Sequence, residues 1–147
     1  MNLTDKLKNI LEVIQATKDA KSTRIFAIDS GMEYYLNKNF FEAHEVWEFQ
    51  WKKEVGPKKL YLQAMIQISV SMNKIFVNPN LVGANSLLEK SINKLLLIQD
   101  SDELTEFGKK FSLSLLEEIQ LIQKKILANE EQEVIPPKLQ FHEVFIE

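Results

Sequence analysis

The chain has 147 residues, 45% hydrophobic and 27% charged, with only 4 Gly and 4 Pro. That is the make-up of one compact helical domain, and it excludes a disordered segment or a turn-rich sandwich. A formal net charge of −3 gives no general footprint for nucleic acid, and without cysteine there is no disulfide, thiol nucleophile or cysteine-based zinc site.

The start, Met1 to Lys6, lacks an apolar signal core, and no apolar run approaches the roughly 18 residues that span a bilayer. A soluble cytoplasmic protein without nucleic-acid or membrane partners is therefore expected. From Leu3 to about Ala20, apolar residues recur at Leu3, Leu7, Ile10, Leu11 and Ile14, the stripe of an amphipathic helix. Asn2 or Thr4 can cap it. A second helix is predicted from Ser22 or Thr23 to Leu36, with Ile25, Ile28, Met32, Tyr35 and Leu36 inward and Gly31 marking a close helix crossing. Asn37-Lys38-Asn39 forms a turn, with Asn39 as the N-cap of a third helix that ends near Glu54, before Gly56-Pro57. The fourth helix, Lys58 to about Val77, is apolar around most of its circumference and belongs in the middle of a bundle. Its exceptions, Gln63, Gln67, Ser71 and Lys74, fall on one narrow stripe. After Asn78-Pro79-Asn80 a fifth helix runs from Leu81 to about Ile98, and a sixth from Asp102 to Ile126 or Leu127 with Leu104, Phe107, Phe111, Leu115, Ile119, Ile122 and Ile126 inward. Pro136-Pro137 forbid a further helix. The ending Leu139 to Ile146 is too apolar for a solvated tail, so it should lie extended on the bundle or on a neighbouring subunit, which makes a homo-oligomer one expectation.

The predicted fold is thus all-α, a single-domain multihelical bundle of about six helices with an extended C-terminal tail. Residues 1–21 form the N-terminal helix, 22–98 a core, 101–128 the long helix and 129–147 the tail.

The third helix is where chemistry concentrates. Phe40 to Trp51 holds both Trp, one of two His and three carboxylates within twelve residues. At roughly 100° per residue, Phe40, Trp47 and Trp51 fall together beside Ala43. His44 and Glu48 sit at the margin of that stripe, with Glu45 further out. A buried amide needs partners, and His44, Glu45 and Glu48 are the natural ones for Gln67. The segment Asn37 to Glu48 also aligns without gaps to Asn78 to Glu89, a 41-residue offset near the period of helical repeats. In the second copy Glu42, His44 and Glu45 become Gly83, Asn85 and Ser86.

The run Phe40-Phe41-Glu42-Ala43-His44-Glu45-Val46-Trp47-Glu48, with Trp51, resembles the signature of domain of unknown function family 309. Ile66-Gln67, Gly83-Ala84 and Leu87-Leu88 are similar to that family's second block, so the similarity spans about Arg24 to Leu96. The resemblance implies an all-α multihelical fold in a small bacterial or archaeal protein, and a site without an assigned role. The family often has histidine where Asn73 and Lys74 stand here.

Three uses of the cluster follow from the residues. In one, His44 is a general acid or base oriented by Glu45 or Glu48, in a pocket whose ligand-binding residues are Glu42, Trp47, Trp51, Gln63 and Gln67. In the second, the cluster is a buried hydrogen-bond network within a structural or tetratricopeptide-like protein-interaction module. In the third, His44 and Glu48 ligate a divalent metal with Glu42, Glu33 or Asp29 as a third ligand, though no spacing requires it and no cofactor is favoured. Whether there is an enzymatic reaction, and whether the partner is a small molecule or a protein, stay open at this level.

Overall fold

A computed structural model describes residues 3–147, with six α-helices among them and no strand. They are α1 (Leu3–Gln15), α2 (Ala20–Leu36), α3 (Phe40–Trp51), α4 (Gly56–Phe76), α5 (Leu81–Leu97) and α6 (Glu106–Leu127). A single 3₁₀ turn at Glu131–Glu133 leads into the extended tail. No helix is long and apolar enough to cross a membrane among the described residues. The chain is all-α, as its periodicity implies.

From α2 onward each helix packs on the next in sequence, and α1 lies against α2 and α3. Short connections force antiparallel neighbours, so the order of the chain becomes the order of the array. Two buried serines pin α4 between its neighbours. Ser69 Oγ donates to the Phe40 carbonyl at 2.7 Å, and Ser71 Oγ donates to the Ala84 carbonyl at 2.9 Å. Ser71 therefore belongs to the seam with α5 and not to an exposed stripe.

The helix boundaries follow capping chemistry. Asp19 accepts from the backbone N–H groups of Lys21 and Ser22, so α2 opens before the predicted Ser22. Gly56, at φ +66°, and Pro57 open α4 instead of merely ending α3. Thr105 caps α6, which starts four residues later than Asp102 because Leu104 pairs with Phe145 of the tail. Asn39 stands at the N-cap of α3 without a side-chain bond, whereas Asn80 accepts from the Gly83 N–H. The two Asn-x-Asn joints of the aligned segments are thus built differently. Asn2, one proposed cap for α1, lies outside the described residues, and Thr4 lies inside that helix.

The inward face of α2 differs from the predicted one. Ile25 and Leu36 are exposed, and Thr23, Ala27, Ile28, Gly31, Tyr34 and Tyr35 are buried. The aromatic face of α3 decides this. Trp47 is fully buried, its indole N–H donates to the Ile28 carbonyl at 3.3 Å, and its ring lies where a Cβ on Gly31 would be, 2.1 Å from Nε1. Phe107 of α6 is likewise turned outward, stacked on Phe111. The tail lies on the bundle. Val134, Leu139, Phe141, Val144 and Phe145 are buried, Tyr35 donates to the Pro137 carbonyl at 2.7 Å, and Tyr61 donates to the Gln140 carbonyl.

Candidate functional site

Around α3 the side chains divide into three environments. Phe40, Ala43, Val46, Trp47 and Gln50 face the core. Trp47, expected to wall a pocket, is therefore a core residue whose one polar atom is already bonded. His44 sits at the margin with its side chain 20% exposed. Its Nδ1 is 3.1 Å from the Phe41 carbonyl and its Nε2 is 3.0 Å from Glu48 Oε2, so both ring nitrogens face acceptors on α3 itself. The Phe41 ring lies alongside, 5.2 Å between centroids. Glu42, Glu45 and Glu48 are partly exposed.

The expected bond between His44 and Gln67 does not form. Ser69 is the α4 residue that hydrogen-bonds the start of α3, and two residues of helix turn the side-chain direction by roughly 200°. Gln67 consequently points away from that contact. Its carbonyl oxygen is buried and has no hydrogen-bond partner. The indole N–H of Trp51 is in the same condition, and the Lys59 ammonium lies 4.4 Å from the centroid of its ring. Tyr34, Asn85 and Glu131 each have one such atom as well. Lys59, Gln63 and Gln67 follow at i, i+4 and i+8, so they form one slowly turning stripe on α4. Lys59, Leu60 and Gln63 also line an open cleft of about 680 Å³ that continues to Leu97 at the end of α5 and to Ser101 beyond it.

The polar groups that are most completely sequestered lie elsewhere. Gln50 is fully buried and Glu54 nearly so. Arg24 grips Glu54 with two parallel bonds, Nε to Oε2 at 2.9 Å and Nη2 to Oε1 at 2.8 Å. Gln50 donates to Glu54 at 2.7 Å and to the Ala20 carbonyl at 2.9 Å, and accepts from Thr23 at 2.7 Å. Lys53 donates to Thr23 at 3.1 Å and to the Ile14 carbonyl, and burial lowers its ammonium below the ordinary lysine range. This network ties the ends of α1, α2 and α3 together with both Glu54 oxygens hydrogen-bonded, which is the condition for a buried charge to be tolerated. Sequence periodicity carries half of the signal: Gln50 stands three residues after Trp47 on the core face of α3, whereas Glu54 lies just beyond the end of that helix.

Among the described residues no group of three or more His, Asp or Glu side chains is placed to hold a metal ion. His44 and Glu48 meet, but Glu42, Glu33 and Asp29 do not join them. Glu33 is taken by Lys6 at 3.0 Å and Asp29 by His142 at 2.7 Å.

Comparison with curated proteins and with solved structures yields no match. Residues 28–87, from the middle of α2 into α5, match the family model described as Domain of unknown function (DUF309). That segment holds α3, α4 and the joints on either side of them, and through it the chain is similar to the DUF309 family.

Proposed function

We propose that this chain is a recognition domain whose α4 stripe from Lys59 to Gln67, beginning beside Trp51, takes an extended peptide segment of a partner protein. The supporting observation is the buried, unpaired donor of Trp51 together with the buried, unpaired acceptor of Gln67. Each costs about 1–3 kcal/mol while it lacks a partner, and a peptide backbone supplies both an acceptor and a donor. The spacing favours a peptide over a compact small molecule. Lys59, which touches Trp51, and Gln67 are eight residues apart on α4, roughly 12 Å at the helical rise. About four residues of extended chain cover that length. In this reading Gln63 stands midway and Lys59 offers a positive rim. A catalytic use of His44 has less support, because both ring nitrogens are already engaged within α3.

The two tryptophans make a direct test. Peptides selected from a random library on the immobilised chain are titrated into the ¹⁵N-labelled protein. The Trp51 indole resonance should move while that of Trp47, held by Ile28, stays in place, and Trp51→Phe should weaken binding about tenfold. No selection above scrambled controls, or binding that leaves the Trp51 indole unmoved, overturns the proposal.

A further inference from the structure

A second site lies between α2 and the tail, away from that α4 stripe and independent of the reading just given. An apolar groove of about 540 Å³ runs there, a volume within the usual range for small-molecule sites. Ile28, Met32, Tyr35, Leu139 and Phe141 line it. The tail wall is fixed at both ends, by Tyr35 donating to the Pro137 carbonyl at 2.7 Å and by His142 Nε2 against Asp29 Oδ1 at 2.7 Å. Pro136 and Pro137 contribute no backbone N–H, so this stretch of wall offers a ligand little but apolar contact.

The rim is charged, with lysines outnumbering carboxylates. Lys38 and Lys138 both line the groove, and neither is in an ion pair among the described residues. The one carboxylate on the rim, Asp29, is answered by His142. Lys38 is also held at φ +63°, a left-handed backbone conformation that suits glycine or asparagine and strains a lysine. That conformation closes α2, with the Lys38 N–H donating to the Tyr35 carbonyl at 3.0 Å and the Asn39 N–H to the Tyr34 carbonyl at 2.8 Å, and it fixes the Lys38 backbone at the rim.

From these features we infer that the groove binds a small, soluble amphipathic carboxylate. Its acyl or aryl body would lie along Met32, Tyr35 and Leu139, with the carboxylate at Lys38 and Lys138. The groove is half built from residues 136–142, beyond the segment that matches the family model, so it belongs to this chain as a whole.

The test uses decanoate below its micelle concentration, with decanol and decyltrimethylammonium as probes of equal chain length. Titrations are followed by calorimetry and by the methyl resonances of Ile28 and Met32. Decanoate should bind saturably at one site and move both resonances. The double variant Lys38→Ala/Lys138→Ala changes only partly or fully exposed side chains, and its melting curve checks that the fold survives. It should weaken decanoate roughly three- to tenfold and leave decanol unaffected. The inference is overturned by absence of saturable decanoate binding, by equal affinity for the cationic probe, or by an unchanged double variant. Association only with decanoate-loaded phosphatidylcholine vesicles, and none with the monomer, overturns it as well.

Discussion

Gly31→Ala puts the central packing contact to a quantitative test, because two effects of opposite sign compete. Alanine is the better helix former by about 1 kcal/mol, and Gly31 lies well inside α2, so propensity alone makes the variant more stable. Packing says the reverse. The new Cβ would lie 2.1 Å from Trp47 Nε1, 2.5 Å from Cδ1 and 2.6 Å from Cε2. All three atoms belong to one rigid ring that is fully buried and cannot swing away. Overpacking of this kind costs about 1–3 kcal/mol, here toward the upper end. Moving the ring also stretches the bond from Nε1 to the Ile28 carbonyl, about 1 kcal/mol more. The expected net loss is about 1–3 kcal/mol, or a fall in Tm of roughly 3–10 °C for a chain of this size. Urea denaturation with an unchanged slope reads it directly as a lower midpoint. A variant more stable than the parent by about 1 kcal/mol would refute the close α2–α3 crossing.

Other perturbations separate the two polar clusters. Arg24→Ala leaves the Glu54 carboxylate buried without its cation and should cost about 3–5 kcal/mol in denaturant melts. His44→Ala removes a contact to a half-exposed Glu48 and should cost less than about 1 kcal/mol; a loss as large as that of Arg24→Ala would return His44 to a structural role. Burial pushes the Tyr35 and Tyr61 hydroxyls far above the ordinary phenol value of 10.0, so the folded chain keeps both protons where the unfolded chain releases them. Their contribution is complete below about pH 10 and declines as pH rises above it, so thermal melts should show a steep alkaline loss of stability. That loss should be shallower in Tyr35→Phe, which has one phenol fewer to keep protonated.

Where local chemistry dictates structure, the sequence was readable. The apolar period of each helix, the Gly31 crossing and the apolar tail all follow from residue type and spacing. The inward face of α2 did not, because its apolar residues are spread around the helix and single out no face. The bulk of Trp47 selects the rotation that brings Gly31 inward, and Ile25 and Leu36 are left in solvent. The late start of α6 is a tertiary effect too, since Leu104 is claimed by Phe145 from the far end of the chain. At the candidate site, the residues His44, Glu48 and Gln67 were visible but their pairing was not. It depends on which α4 residue meets the start of α3, and the small Ser69, bonded to the Phe40 carbonyl, holds that position.

The difference between Glu54 and Gln67 shows why clustering of polar residues is a poor guide to a binding site and pairing a better one. Glu54 is the costlier group to bury, yet both its oxygens are engaged, and what it does is hold the ends of α2 and α3 together. Gln67 carries no charge and stands apart from any network, yet its oxygen is withdrawn from water with nothing to accept. A paired group has already given its interaction energy to the fold, and a ligand that engaged it would have to break an existing bond. An unpaired one gains that energy only when a partner arrives, so its contribution goes to binding. By this criterion the recognisable α3 motif owes much of its pattern to packing, through Phe40, Ala43 and Trp47. The binding capacity argued here rests instead on Trp51 and on the α4 residues Gln63 and Gln67.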